Sequence, residues 1–313
     1  MLFEKKWTQL CIMYAVTPVH AGSGKAVSAV DLPIQRERHT GWPQVQASGM
    51  KGAFRDWFYR FYLSNAGVDG EDTKKQAEDL TKSVFGREES GGNGGHAGAV
   101  SITDARILAF PVRSNIAPFV WVTCPAVLKR LNRDLALCPA HLKAPSMTTE
   151  NTDSESCIPI CGEFRQEGDI VLEDMALSLS SQMSLEEIKK LFQVLIPQVD
   201  RLLLISDENF SFLVKTATEV QPQIQIQHDS GTTKDGSLRY QELLPADSVL
   251  YSLVFFSNER IAEQPMQAEV LCRCLKKAIS THVQVGGDMT MGRGLMEVRW
   301  IGSEQCGAEE EKS

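Results

Sequence analysis

Residues 30–62 read VDLPIQRERHTGWPQVQASGMKGAFRDWFYRFY, and the character of the chain changes at Ser48. Before it, Pro33, Gly41 and Pro43 interrupt any regular element, as do Gly22 and Gly24 just upstream. After it, Met50, Phe54, Trp57, Phe58, Phe61 and Tyr62 recur three and four apart, the apolar face of an amphipathic helix starting at Ser48. Such a helix needs a sheet to lie on. Residues 7–20 supply its first strand: Leu10, Ile12, Tyr14 and Val16 alternate onto one face until Pro18 ends the run.

Working outward, residues 100–110 and 119–123 read as strands, and 125–137 as a short helix with proline in its first turn. Ser184 and Glu187 form a capping box that opens a helix to about Leu195. Residues 223–244, QIQIQHDSGTTKDGSLRYQELL, alternate on either side of turn residues and predict a long protruding β-hairpin over about 221–245. A core strand (249–256), a helix (268–279) and a last strand (297–301) follow. The run GREESGGNGGHAG (86–98) holds six glycines and predicts a flexible loop, part of an insertion over about 66–98; a second insertion covers about 138–183, with a polar loop at 146–157. Strand, helix, strands, helix, strand is the order of an enlarged ferredoxin-like α+β sheet, an order that many α+β folds share. The chain, residues 1–313, reads as one domain with an acidic tail at 305–313.

With 42% apolar and 23% charged residues in 313, the composition is that of a globular protein. The longest apolar run, 249–256, is far short of a bilayer span, so no membrane partner is expected. MLFEKKWTQL has no apolar signal core and the eight cysteines are sparse, which predicts a reduced cytoplasmic protein. A net charge of −8 argues against indiscriminate coating of nucleic acid. It leaves room for a local basic groove.

That groove has candidates. Arg36, Arg38, Lys51, Arg55 and Arg60 face only Glu37 and Asp56 within residues 36–60. Lys51 falls in the first turn of its helix between Gly49 and Gly52, a place suited to phosphates, although a solvated helix start explains it as well. QVGGDMTMGRG (284–294) repeats the chemistry with Gly286, Gly287 and Arg293, against the plain alternative of a hairpin turn. Asp31 either makes a turn before Pro33 or serves a ribose hydroxyl or a divalent ion. His20 is open to both a backbone contact and a base or phosphate contact. Cys157/Cys161 and Cys272/Cys274 lack zinc-ribbon spacing. No P-loop, H-E-x-x-H or G-x-S-x-G string occurs.

HAGSG (20–24), VDLPIQRERHTGWPQVQASGMKGAFR (30–55), Phe85-Gly86 with GAVSITDARILAFPVRS (98–114), WVTCP (121–125) and MGRGLMEV (291–298) together resemble the RAMP superfamily. More narrowly, they resemble the Cas7-type backbone subunits of type III-B CRISPR (Cmr) effector complexes, nearly end to end and in order. The resemblance implies an RRM-like, ferredoxin-type palm with inserted finger elements and a β-hairpin thumb, which would be residues 221–244. It implies a CRISPR guide RNA and a complementary target RNA as ligands, with further copies in a helical filament and other type III-B subunits as partners. It also implies target cleavage at flipped-out nucleotides with Mg²⁺ or Mn²⁺. The implied catalytic and metal-binding carboxylate is Asp31. His20, Tyr240 and Glu242 are implied to act beside it in catalysis: His20, with the RNA-binding Gly22, Ser23 and Gly24, matches a loop near guide and target, and Tyr240 and Glu242 match thumb positions proposed to line the cleavage site. Arg36, Lys51 and Arg55, with Gly286, Gly287, Met289, Met291 and Arg293, match the guide-backbone surface.

Two other functions stay open on the residues: a guide-binding scaffold that never cuts, and a guide-precursor processing ribonuclease with a histidine base and no metal.

Overall fold

A computed structural model describes residues 4–24, 30–65, 71–87, 95–139, 152–164, 168–180, 185–260 and 264–302. Its first strand, β1 (Thr8–Ala15), pairs antiparallel with the last, β16 (Leu295–Ile301), and with β14 (Val249–Phe256). β14 in turn pairs antiparallel with β6 (Ala105–Arg113), giving the order β16-β1-β14-β6. The strand ends at Ala15, short of the 7–20 read from the sequence, and Val16 is exposed beyond it. Every residue of β1 but Tyr14 is buried, because a central strand covered on both faces carries no solvated side.

Two helices connect these strands. α1 (Ala47–Asn65) buries Met50, Phe54 and Phe58, four residues apart, and Trp57 Nε1 donates to Ala278 O at 3.1 Å. Full burial of each of those three side chains stabilises by roughly 1.5–3 kcal/mol. α1 starts at Ala47 and not at Ser48, since its first N–H is bound by Asp104 Oδ1 at 2.7 Å. The same aspartate explains why 100–110 is not one strand. β5 (Val100–Ile102) ends where Thr103 Oγ1 takes the Leu253 N–H, and Asp104 turns away to cap α1 before β6 begins.

The region 66–98 is not a loop throughout. α2 (Glu71–Phe85) buries Ala77, Thr81, Val84 and Phe85, and Phe85 meets Phe58 with ring centroids 5.5 Å apart. β3 (Gly86–Arg87) then pairs with β4 (His96–Ala97). A Cβ on Gly86, whose φ is +88°, would lie 2.6 Å from His96 O and from Gly98 N, so glycine is required by close packing. Residues 88–94 of that glycine run lie outside the described residues.

β2 (Gln44–Val45) pairs with β6, and β6 with β7 (Phe119–Thr123). α3 (Pro125–Leu135) follows with Pro125 at its first turn. The second insertion adds β8 (Ser156–Cys161), β9 (Ile170–Leu172) and β10 (Met175–Leu179), which reach the sheet through β11 (Leu202–Leu204), itself parallel to β7. α4 (Glu186–Leu195) begins behind Leu185, which makes no side-chain cap bond; Ser184 of the expected capping box lies outside the described residues, as do the polar loop up to residue 151 and the acidic tail.

α5 (Asp207–Thr216) leads into the hairpin of β12 (Glu219–Gln223) and β13 (Arg239–Leu243), paired from Glu219↔Leu243 to Gln223↔Arg239. The arm continues to an Ile226↔Thr233 bridge, as the alternation predicts. Val220, Ile224, Ile226, Leu238 and Tyr240 along it are exposed. α6 (Ala268–Ala278), β15 (His282–Gln284) and β16 complete a mixed sheet of twelve strands with six helices among the described residues.

Candidate nucleic-acid interface and cleavage site

The base of the hairpin is where the sequence candidates meet. The loop carrying Asp31 lies along β13: Leu32 N donates to Tyr240 O (3.1 Å), and Glu242 N donates to Leu32 O (3.0 Å). Asp31 Oδ2 accepts the Tyr240 N–H at 2.8 Å. Its Oδ1 accepts no hydrogen bond among the described residues, and the side chain is exposed. The exposed Asp31 carboxylate is therefore held on the backbone of Tyr240, a residue that is itself partly open to solvent.

Glu242, two residues on, is in a different situation. It is buried at 7% exposure, and both its oxygens are occupied. Oε2 accepts Ile34 N–H (3.0 Å), while Oε1 accepts from Arg36 Nη2 (2.5 Å) and Thr218 Oγ1 (2.9 Å). Arg36 also donates to Gly41 O (2.8 Å) and Val214 O (2.9 Å). The pair thus ties the Asp31 loop to β13, the hairpin's second strand, and to α5. Arg36 is held inside the fold and is not free to serve a phosphate.

The two glycine loops, 270 residues apart in sequence, are neighbours. Gly287 N donates to His20 O at 2.9 Å, and Gly294 N to Pro18 O at 2.9 Å. A Cβ on Gly286 would lie 2.5 Å from His20 O, so no side chain fits there. His20 Nδ1 lies 2.9 Å from Glu242 O. Gly22 bridges to Ile34, and Ser23 N donates to Pro33 O at 3.0 Å, which fixes the HAGSG loop against the Asp31 loop. Gly24 is exposed with φ +94°.

Arg293 Nη2 donates to Gln221 Oε1 (2.7 Å), and Asp288 Oδ2 accepts from Gln241 Nε2 (2.6 Å), so this loop also grips the hairpin base. Met289 and Met291 are exposed. A groove of about 520 Å³ runs between His20, Gly22, Gly49, Gly52, Gly286 and Gly287.

Lys51 and Arg55 line a second groove of about 420 Å³, with Arg87 and His96 of the β3–β4 pair opposite. This corrects the origin of the basic surface. The helix end is not an open anion site, because Asp104 occupies its first N–H; the positive character comes from side chains. Arg87 and His96 were not singled out by sequence, nor were Gln241, Thr218 and Asp288. Their partners lie tens to hundreds of residues away and leave no local pattern.

Among the described residues no group of three or more His, Cys, Asp or Glu is placed to hold a metal ion. Asp31 alone is too small a donor set for a resident divalent ion. Cys157 and Cys161 are buried on β8, and Cys272 is buried on α6 beside half-buried Cys274, none of them in a disulfide.

Known proteins match this arrangement. A profile of the RAMP superfamily matches residues 12–297. The Cmr endoribonuclease Cmr4 of Pyrococcus furiosus is 31% identical over 297 residues, covering 91% of this chain and 93% of that protein. The crystal structure of oligomeric Cmr4 from Pyrococcus furiosus superposes with a TM-score of 0.66 at 26% identity, over 94% of this chain and 98% of the other. A chain of the type III-B Cmr-beta complex bound to cognate target RNA shares the fold at TM-score 0.71 and 21% identity, over 96% and 98%. The chain belongs to the RAMP superfamily, in the same family as Cmr4.

Proposed function

We propose that the chain is a backbone subunit of a type III-B CRISPR effector complex, which binds a CRISPR guide RNA and cleaves the complementary target RNA. The observation that carries this reading is the carboxylate of Asp31, docked on the hairpin base by Tyr240 N with one oxygen left open to solvent. The strand order β16-β1-β14-β6, with α1 and α6 as connections, supports a ferredoxin-like, RRM-like palm. The exposed apolar residues of the 219–243 arm support its reading as a thumb that wedges into a duplex. Oligomeric Cmr4 and the Cmr-beta complex support self-association in a filament and the company of other subunits.

The chemistry follows from RNA's own nucleophile. A target nucleotide pried out of the stack at a cost of a few kcal/mol lets its 2′-oxygen align with the adjacent phosphorus. The 2′-oxygen bonds to phosphorus as the bond to the 5′-oxygen breaks; the free Asp31 oxygen takes the 2′-hydroxyl proton, and the departing 5′-oxygen takes a proton from water, leaving a 2′,3′-cyclic phosphate and a 5′-hydroxyl. Tyr240 stands beside it, and Glu242 holds the loop through Ile34 and Arg36. Lys51 and Arg55, together with the 286–294 loop, bear on guide phosphates, so sequence choice rests with base pairing.

The described residues do not build a metal site of their own, and no step is assigned to one. Dependence on Mg²⁺ or Mn²⁺ is part of the proposal only in so far as RNA phosphates complete the coordination around Asp31. No helix among the described residues is long and apolar enough to cross a membrane, and the cytoplasm is the compartment proposed.

The test is a cutting assay on the complex reconstituted with guide and partner subunits. Complementary RNA is expected to be cut at regular intervals with Mg²⁺ or Mn²⁺ and not in EDTA. Binding without cutting under every condition overturns the nuclease reading in favour of a scaffold; cutting that survives EDTA removes the metal.

A further inference from the structure

We propose that His20 is the residue by which this subunit distinguishes a ribose from a deoxyribose backbone: its Nε2 accepts a hydrogen bond from a 2′-hydroxyl of the guide strand lying in the groove between Gly22 and Gly286–Gly287. The inference rests on the guide-binding reading above and adds the group that is recognised.

Its basis is the pairing of the ring. Nδ1 lies 2.9 Å from Glu242 O, and a carbonyl oxygen only accepts, so the proton is on Nδ1. In the neutral imidazole, Nε2 is then a lone-pair acceptor. Among the described residues nothing donates to it. The chain keeps that nitrogen open: Gly22 lies directly opposite, where a Cβ would come within 2.9 Å of Nε2, and Gly287 leaves the ring's Cδ2 edge equally uncovered. Both faces of the opening belong to the 520 Å³ groove. The ring is held by Glu242 O, and the backbone that carries it is fixed by Gly287 N on the His20 carbonyl and by the close approach of Gly286.

A fixed acceptor is an unusual fitting for a nucleic-acid surface. Phosphate oxygens and the sugar ring oxygen only accept, so they call for Arg, Lys or backbone N–H. The 2′-hydroxyl is the one backbone group that donates, and it is what DNA lacks. A fixed, unpartnered imidazole nitrogen in a glycine-walled groove is therefore matched to ribose and mismatched to deoxyribose.

The experiment scans single 2′-deoxy substitutions through the guide and measures binding by the assembled complex, for the wild type, His20→Phe and Gly22→Ala. One neutral hydrogen bond corresponds to about a tenfold change in affinity. The wild type is expected to lose about that factor at one guide position per subunit. His20→Phe keeps the ring's bulk without the acceptor, and Gly22→Ala covers Nε2 while leaving the histidine in place. Both are expected to bind the all-ribose guide more weakly, by about tenfold for each copy in the complex, and to lose sensitivity at those positions. Equal deoxy penalties in all three proteins, or tight wild-type binding with no sensitive position, overturn the assignment and leave guide binding standing. If adjacent methylphosphonates weaken wild-type binding in a His20-dependent way while deoxy substitution does not, the nitrogen serves phosphate and the inference fails. A wild-type complex that binds no RNA defeats the functional reading and this inference together.

Discussion

Asp31→Asn is the substitution that separates the chemistry of Asp31 from its structural role. The carboxylate does two things: Oδ2 accepts the Tyr240 N–H at 2.8 Å, and the other oxygen faces solvent. Asparagine keeps an acceptor for Tyr240 N and removes the charge and the proton-accepting oxygen. Alanine removes both. Loss of one hydrogen bond to a charged but exposed group costs about 1 kcal/mol, a melting shift of roughly 2–4 °C in a chain of this size. Removing a positioned proton acceptor lowers a rate about 10²–10⁴-fold. Single-turnover cleavage of labelled complementary RNA should thus fall by at least about a hundredfold in both variants. Guide binding and melting should stay at wild-type values in Asp31→Asn and decline slightly in Asp31→Ala. Cleavage by Asp31→Asn within a fewfold of wild type would refute the assignment of Asp31 as the acting group, whatever alanine did.

Three other outcomes follow from the same geometry. Glu242→Ala removes the acceptor for Ile34, Arg36 and Thr218 and strands a guanidinium that is 22% exposed; denaturant unfolding should show a loss of about 2–4 kcal/mol, partly recovered by Glu242→Gln. Lys51→Ala and Arg55→Ala should each weaken guide binding uniformly across sequences and reduce the slope of log affinity against log salt by about 0.7–0.9; an unchanged slope means that the side chain does not meet phosphate. Burial pushes the Cys138 and Cys157 thiols from the ordinary 9.0 up to about 12, so both should resist alkylation at pH 8 until the chain is unfolded. Because those folded values are raised, the unfolded chain ionises first, and stability should fall as pH climbs from 9 towards 12.

How much of this was legible in the sequence depended on where each residue's partner lies. α1 and the 219–243 arm were readable because their periodicities are long and local. α2 was hidden because its apolar face, Ala77, Thr81, Val84 and Phe85, is thin and runs into six glycines. β11 is only Leu202–Leu204, a run that gains its meaning from lying between β7 and β8. The alternation of Leu10, Ile12, Tyr14 and Val16 marks β1 as a strand, but nothing local tells that its other face is buried as well. At the site, Asp31 was found by resemblance, since on the residues alone a simple turn before Pro33 was the favoured reading. Arg36 reads as a phosphate ligand within its basic segment, and only the fold reveals Glu242 as its counter-ion. The Asp104 cap on α1 was likewise invisible, being 57 residues from the N–H it binds.

Gln241 carries one more implication. It is 2% exposed, its backbone bridges to Leu32 beside Asp31, and its side-chain amide binds Asp288 in the second glycine loop. One strand position thus acts as a fulcrum common to the Asp31 loop and the 284–294 loop. On the function proposed above, a tilt of the arm would be felt at the cut and at the grip together, and register between the two would be set within each protomer, as graduations are on a ruler.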